Sequence, residues 1–454
     1  MRTADQQGAL ATVLAEPALS SASYRRRWAV EWVRERFWVI PAVLLVLGPA
    51  LALATAGGSG FWGSWGGLPA DASWASGFLE NIAAATLTFL GVVFTLTLVA
   101  LQLASSQLSP RVIRTFVRSP ITRVAFGMLL AAFSFAVTAL VISHGHAGPA
   151  ASRAVIVAAV LVAVSLVVFL RYVAAMMELL QVVEVIAAVA RETRGAVAVS
   201  WLPSPAAVAA ARPPRSASPA LIRRPAGRPA GRPSRRAASG RVLGVDHARL
   251  AELARRHDCV IELTVRMGEF VPAGGVFAAV HCPGAAPGAR PGQPVRPADV
   301  GAAVNFGRGR TLYQDPAFGL RQLADIAAQA LSPAVNQPTT AVLVIDSLEE
   351  ILLEIARSPR QSGCFTARDQ QVRLITPLPG WEDCLDLAFT EITVYGAGSP
   401  QVARRLLAAY STMEEAAAPD RRAAVAARRE ELTRQLATEG SIQQALRPDP
   451  MGLG

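Results

Sequence analysis

The sequence predicts an all-α membrane domain of four transmembrane helices followed by a cytoplasmic α+β domain. Mean hydropathy is +0.35 and 52% of the 454 residues are hydrophobic, which is too apolar for an ordinary soluble enzyme. The apolar excess lies in the first 200 residues, and from residue 241 short strand-like and helix-like segments alternate. A membrane half joined to a soluble half therefore accounts for the composition.

Four apolar runs predict the membrane spans, because about 20 helical residues cross a bilayer core of roughly 30 Å. They lie at 37–56, 81–103, 124–142 and 154–170. The first run follows a basic region and contains an Ala-x-Ala pattern, as a signal peptide does, but its length favours an uncleaved anchor. The fourth run has no helix breaker before Gly195, which predicts one continuous helix extending beyond the membrane.

Arginine placement predicts the orientation. Arginines precede the first run, fill the loop at 104–123 and follow residue 170, whereas the loops at 57–77 and 143–152 contain none. The positive-inside rule makes the arginine-rich side cytoplasmic. Both termini are thus expected in the cytoplasm, in a multi-pass protein whose first partner is the lipid bilayer.

The second span carries a polar residue at every seventh position. Seven residues are close to two helical turns, so these side chains form one slowly drifting stripe. The stripe consists of Asn81, Thr88, Thr95 and Gln102. Two interpretations stay open: a helix-packing seam, since Ala84 and Gly91 share this face, or the lining of a water- or ion-filled path in a homo-oligomer. Beyond it, Ser109, Pro110 and Arg111 predict the start of a short basic helix.

The predicted domain layout places a disordered tether between the two halves. Residues 201–240 are rich in Pro, Ala and Arg and lack acidic residues, a composition that cannot bury a core. Arginines at 212–236 suit anionic lipid headgroups, and membrane tethering disfavours nucleic acid as the partner. The predicted segments are a basic N-terminus (1–36), a membrane domain with a helical extension (37–200), the linker (201–240), the α+β domain (241–410) and a helical tail (411–454).

A helical hairpin is expected in the soluble half. Asp315-Pro316 is a helix start, Ser332-Pro333 ends that helix, and a second helix begins within 336–340. The polar residues expected to matter here are Arg310, Asp315, Arg321, Asp325, Ser332, Pro333, Asn336, Pro338 and Thr339. Arg321 and Asp325 are four apart and predict a salt bridge on one helix face.

Catalytic and metal-binding patterns are missing from the sequence. The chain has no lysine, which excludes Schiff-base chemistry and a P-loop. Its four cysteines form no C-x-x-C pair, so no zinc or iron–sulfur site is implied, and we interpret them as structural. No Ser-His-Asp, Cys-His or H-E-x-x-H arrangement is present. We therefore predict no enzyme, no cofactor and no metal.

Two motifs, SSQLSPRVIRTF at 105–116 and QDPAFGLRQLADIAAQALSPAVNQPTTAV at 314–342, resemble the bacterial membrane-protein family catalogued as domain of unknown function 2254. The resemblance implies four membrane helices, a C-terminal cytoplasmic domain and the bacterial inner membrane. That family commonly has Asn-Asp-Pro where this chain has Asn336-Gln337-Pro338. The missing carboxylate argues against an acid, base or metal-ligand role for the turn.

Two functional hypotheses follow from these patterns. The first is an oligomeric channel- or transporter-like protein, with the second helices lining the path and the soluble domain responding to a cytoplasmic signal. The alternative is a membrane-anchored scaffold, in which the stripe is a packing seam and the hairpin is a docking site.

Overall fold

The structure is a computed structural model. It describes residues 36–57, 72–107, 120–143, 149–179, 181–200, 219–224, 239–282, 295–358, 363–369 and 371–438, together with 443, 445 and 447. The chain divides into two compact units. The membrane unit holds the described residues up to Val185, and the α/β unit holds the described residues from Ile186 onward.

In the part of the membrane unit that the structure describes, four long helices are present: α1 (Val39–Gly57), α2 (Ala72–Gln107), α3 (Pro120–Ser143) and α4 (Pro149–Leu179). Each is long and apolar enough to cross a membrane, so the four predicted spans are confirmed at that level. Three of them begin earlier than the apolar runs do, because polar residues such as Ser73 and Glu80 extend α2 before its uncharged section. The short basic helix that is predicted to start at 109–111 lies outside the described residues.

Helix α3 is the centre of the membrane unit, since it packs against α1, α2 and α4. Small residues on several of its faces allow the neighbouring helices to approach closely. Ala132, Ala136 and Ala139 are buried. At Gly127 an added Cβ would lie 2.4 Å from Leu44 Cδ1 of α1, so a larger residue here would displace the Leu44 side chain.

The helix after the fourth span is not continuous, contrary to expectation. Helix α4 ends at Leu179, and α5 (Val182–Ser200) begins where the Gln181 carbonyl accepts the N–H groups of Glu184 and Val185. Helix α5 then runs through Gly195, at a cost of about 1 kcal/mol relative to alanine. The boundary between the two units falls within α5, after Val185.

Within the described residues of the α/β unit, eight strands form two sheets. The strands are β1 (Ala220–Arg223), β2 (Gly240–Val245), β3 (Val260–Leu263), β4 (Phe270–Val271), β5 (Val276–His281), β6 (Val304–Gly307), β7 (Cys364–Thr366) and β8 (Val372–Ile375). One sheet has the order β1-β5-β3-β8-β7 and the other β4-β2-β6. The β3–β8 pair is parallel, and all the others are antiparallel.

The strands on either side of the turn at Gly274 belong to different sheets. Strand β4, before the turn, pairs with β2, whereas β5, after it, pairs with β1 and β3. The turn therefore passes the chain from one sheet to the other.

The predicted disordered linker also contains a strand. Within 201–240, β1 pairs with β5 and buries Ile222 at 3% exposure. The Arg224 guanidinium lies 4.0 Å from the centre of the Phe306 ring, so this arginine of the predicted headgroup-binding run packs within the α/β unit. The rest of that run, apart from Arg223, lies outside the described residues. The average composition of the linker hides the short apolar pair Leu221-Ile222. Because this segment pairs with β5, it forms an edge strand of the larger sheet.

Besides most of α5, the described helices of the α/β unit are α6 (His247–Arg256), α7 (Pro297–Gly301), α8 (Pro316–Ala330), α9 (Pro338–Arg357), α10 (Trp381–Gly396), α11 (Pro400–Ala416) and α12 (Pro419–Thr438). Helices α8 and α9 form the expected hairpin. The predicted tail boundary at 410 cuts α11. Helix α12 packs on α11 and buries Val425, Leu432 and Leu436, so it is a packed part of this unit.

Candidate functional site: the outward face of α2 and the α8–α9 hairpin

The polar stripe lies on the face of α2 that the membrane unit leaves uncovered. Asn81, Thr88, Thr95 and Gln102 are all exposed. The Asn81 amide donates to the Gly77 carbonyl (2.8 Å), and the Thr88 and Thr95 hydroxyls donate to the carbonyls four residues earlier (3.0 and 2.9 Å). Each of these donors is thus satisfied within the helix, which lowers the cost of placing it at membrane depth.

The opposite face of α2 attaches the helix to the bundle. Leu79 and Val93 are fully buried there. Thr97 Oγ1 lies 2.7 Å from the Tyr172 hydroxyl of α4, and both hydroxyls lie within hydrogen-bonding distance of the Val93 carbonyl (2.7 and 3.1 Å). This polar cluster fixes the rotation of α2 about its own axis and so directs the stripe outward.

Among the four described spans, α2 has the smallest buried share. Only 17% of its span is buried, compared with 50% for α3. Its exposed surface is apolar beside the stripe, where Leu87, Phe94 and Val99 lie, as expected for a lipid-facing helix. Along the stripe, an added Cβ at Gly77 or Gly91 would meet nothing within 4 Å. The stripe is therefore a narrow polar and small-residue band between apolar flanks.

In the α8–α9 hairpin, Arg310 and Asp315 form a tight pair at the start of α8. Arg310 Nε and Nη2 each donate to an Asp315 carboxylate oxygen at 2.8 Å, and one of these oxygens also accepts the Phe318 N–H at 3.1 Å. The Arg310 guanidinium lies 5.0 Å from the centre of the Phe318 ring. At Gly268, where φ is +75°, an added Cβ would lie 2.2 Å from Arg310 Nε. The pair is packed and hydrogen-bonded, as a structural N-cap is.

A second arginine pair lies further along α8. Arg321 donates to Asp325 at 2.8 Å, as the spacing predicts, and also to Glu391 of α10 at 2.5 Å. Partial burial lowers the pKa of Arg321, but the hydrogen bonds and negative charges of Glu391 and Asp325 together outweigh burial, so the pKa is raised. The bridge to α10 is a contact that sequence spacing does not indicate. It makes Arg321 a link between helices rather than a surface ion.

The hairpin turn is separate from both pairs. Ser332 Oγ donates to the Gln329 carbonyl at 2.7 Å, and Pro333, Asn336 and Thr339 are exposed, while Pro338 starts α9. Asn336 has a φ of +46°, a region that asparagine tolerates better than most residues. Fifteen residues of α8 separate Asp315 from the turn, or about 22 Å at 1.5 Å per residue. The structure thus divides the predicted polar residues among three places.

Sequence reasoning missed a membrane contact that lies outside both predicted regions. The Ser134 hydroxyl of α3 donates to the Leu45 carbonyl of α1 at 3.0 Å. Pro49, inside α1, was the available signal, since proline leaves the carbonyl four residues earlier without its helical donor.

Comparison with known proteins gives the family. Uncharacterised proteins of Mycobacterium tuberculosis and Mycobacterium bovis are 29% identical to this chain over 415 residues, covering 88% of this chain and 76% of theirs. No solved structure matches the chain. The family described as predicted membrane protein (DUF2254) matches residues 34–412. With most of its length matched and four apolar helices long enough to span a bilayer, the chain belongs to the DUF2254 family of predicted membrane proteins.

Proposed function

We propose that the protein is an oligomeric channel- or transporter-like membrane protein in which α2 helices of several copies line the path. The observation that carries this proposal is the outward position of the stripe Asn81, Thr88, Thr95 and Gln102. A polar band that its own bundle does not cover is better matched by water or another polar surface than by lipid tails. The α/β unit is the regulatory part in this proposal.

The chemistry of the stripe suits a hydrated path. The Thr88 and Thr95 hydroxyls donate hydrogen bonds to backbone carbonyls. The lone pairs of the two hydroxyl oxygens therefore stay available as acceptors. Neutral hydroxyl and amide groups solvate ions weakly, so an ion that enters can also leave. Gly77 and Gly91 add space along the same face. Four weak sites at heptad spacing support conduction rather than tight binding.

Flux into liposomes tests this proposal. The purified full chain is reconstituted, and potassium, sodium and chloride fluxes are compared for the wild type, Thr95→Leu and Thr95→Ser. We expect flux in the wild type, loss in Thr95→Leu and retention in Thr95→Ser, which keeps the hydroxyl. Equal flux in all three variants would show that Thr95 does not line the path. No flux from any of them under varied ionic conditions and pH would favour the second candidate.

The second candidate is a membrane-anchored scaffold whose stripe is an oligomerisation seam. Gly77, Ala84 and Gly91 are spaced seven residues apart and alternate with the polar positions, as small residues do in closely packed membrane helices. In this case Gly91→Leu should abolish oligomers detected by cross-linking in detergent, and Thr95→Leu should only weaken them. A channel lined by the same face loses its flux with Thr95→Leu while remaining oligomeric.

Location and partners complete the proposal. We infer a bacterial inner-membrane protein with both termini in the cytoplasm, forming a homo-oligomer, with the arginines in 212–236 other than Arg224 near anionic lipid headgroups. The arginine distribution supports this orientation. A fluorescent protein fused after Gly454 should fluoresce, and alkaline phosphatase at the same place should be inactive. The reverse pair of results would overturn the orientation.

A further inference from the structure

We propose that Cys259 and Cys282 form a reversible disulfide when the α/β unit is exposed to a peroxide. Twenty-two residues lie between the two cysteines in the sequence, and no spacing motif connects them. The antiparallel pairing of β3 with β5 sets Val260 opposite His281 and Ile261 opposite Val280. Extending this register by one position sets Cys259 opposite Cys282.

The backbone hydrogen-bond pattern shows whether Cys259 and Cys282 are a hydrogen-bonded or a non-hydrogen-bonded pair of the ladder. Thr264 N–H donates to the Phe277 carbonyl directly across from it at 3.0 Å, which marks a hydrogen-bonded pair. Hydrogen-bonded and non-hydrogen-bonded pairs alternate along an antiparallel ladder. Five positions further on, Cys259 and Cys282 are a non-hydrogen-bonded pair, for which Cα atoms lie about 4.5 Å apart. Disulfides span Cα separations of about 4.4–6.8 Å.

The two thiols face the same side of the sheet. Cys259 shares the buried cluster of Ile261 and Val280, and the Cys282 thiol lies within hydrogen-bonding reach of it. Cys282 is exposed, whereas Cys259 is fully buried. Burial raises the pKa of Cys259 to about 12. The exposed thiol is therefore the one that an oxidant in solution reaches first.

The chemistry divides between the two residues. The Cys282 thiolate attacks one peroxide oxygen, the O–O bond breaks, and a sulfenic acid and hydroxide form. Cys259 then attacks the sulfenic sulfur, and its proton leaves with the hydroxyl group as water. In sum, two thiols and one hydrogen peroxide give one disulfide and two waters. A cellular thiol reverses the step by exchange.

The other cysteines provide the controls. Cys364, on β7, belongs to a separate cluster with Val260 and Ile375, so it faces the other side of the sheet from Cys259. Cys384 is buried in α10. Neither is set opposite another cysteine by the strand register, and Cys364→Ser should leave the reaction intact.

Thiol counting and peptide mapping test the proposal on the full chain in detergent. After hydrogen peroxide treatment and alkylation, we expect the four thiols to fall to two, with a Cys259–Cys282 cross-linked peptide that dithiothreitol removes. Cys282→Ser should lose this peptide, and Cys364→Ser should keep it. Four thiols remaining, a cross-link through Cys364 or Cys384, or conversion of Cys282 to sulfinic acid without a cross-link would each overturn the proposal.

Discussion

The hydroxyl of Ser134 on α3 donates a hydrogen bond of 3.0 Å to the carbonyl oxygen of Leu45 on α1. In an unbroken helix that carbonyl would accept the N–H of residue 49, but residue 49 is proline and has none. Within a bilayer no water is available to replace the lost donor. A neighbouring helix therefore satisfies the carbonyl that Pro49 leaves open, and the close approach needs Gly48, where an added Cβ would lie 2.2 Å from Ser134 Oγ.

Two substitutions at this contact should destabilise the membrane unit by different amounts. Ser134→Ala removes one interhelical hydrogen bond, worth about 0.6–2 kcal/mol. Gly48→Ala should cost more, about 1–3 kcal/mol, because the new methyl group also meets the Ala131 backbone at 2.6 Å. Unfolding by sodium dodecyl sulfate in mixed micelles measures both. Gly77→Ala, compared in the monomeric fraction so that contacts between copies do not contribute, is the matched control, since nothing lies within 4 Å of its added Cβ. Equal behaviour of Gly48→Ala and Gly77→Ala would contradict the packing argument.

In the membrane half, the positions of the helices were predictable from the sequence, but the contacts between the helices were not. Length and hydropathy place a helix in each apolar run because a bilayer imposes that length. They carry no information on rotation about the helix axis. The stripe was identified by its spacing, but its outward position depends on Leu79, Val93 and the Thr97–Tyr172 hydrogen bond on the other face. The partner of Thr97 is 75 residues away, and no local pattern predicts it.

The Thr97–Tyr172 pair should behave as one unit. Tyr172→Phe and Thr97→Val each remove one member of the cluster around the Val93 carbonyl. Each should destabilise the protein by about 0.6–1.7 kcal/mol. The double variant should cost less than the sum, because the shared hydrogen bond is lost only once. A double-mutant cycle in mixed micelles gives the coupling, and additive losses would show that the two hydroxyls act independently.

The helix pair α5–α8 offers a steric test in the α/β unit. An added Cβ at Gly319 would lie 2.0 Å from Thr193 Oγ1 and 2.7 Å from its Cγ2, and Thr193 is fully buried. Gly319→Ala should therefore destabilise the unit by about 1–3 kcal/mol. Thr193→Ala removes the two closest atoms, so the double variant should recover part of the loss. Thermal unfolding followed by circular dichroism measures this, and no recovery in the double variant would contradict the predicted clash.

In the α/β unit, helix boundaries were predictable where side chains cap them. Asp315 and Pro316 specify the start of α8 through local hydrogen bonding and a fixed φ. Sheet pairing was not predictable in the same way. The segments holding β4 and β5 are neighbours in sequence but belong to different sheets, since their partners are chosen by long-range burial. For the same reason, the sequence does not indicate that Cys259 and Cys282 lie opposite each other on neighbouring strands.

Acid should selectively weaken the contribution of Glu252 on α6. Hydrogen bonds from Arg255, and less from Arg256, lower the pKa of Glu252 from an ordinary 4.5 to about 2. A carboxylate with a lowered pKa stabilises the folded state above its unfolded pKa and loses that effect as pH falls. The stability difference between the wild type and Glu252→Gln should therefore be constant above about pH 5 and shrink between about 4.5 and 2.

The control for this pH dependence uses the arginine that causes most of the pKa shift. Arg255 Nε and Nη2 donate to the two Glu252 carboxylate oxygens at 2.9 and 2.8 Å, and Arg256 Nε adds a bond at 3.1 Å. In an Arg255→Ala background the pH-dependent part of the Glu252→Gln difference should become smaller but not vanish, because Arg256 remains. Urea unfolding from pH 7 to pH 3 measures both differences. A Glu252→Gln difference that stays constant over that range, or one that is unaffected by Arg255→Ala, would show that Glu252 does not draw its stabilisation from this pair.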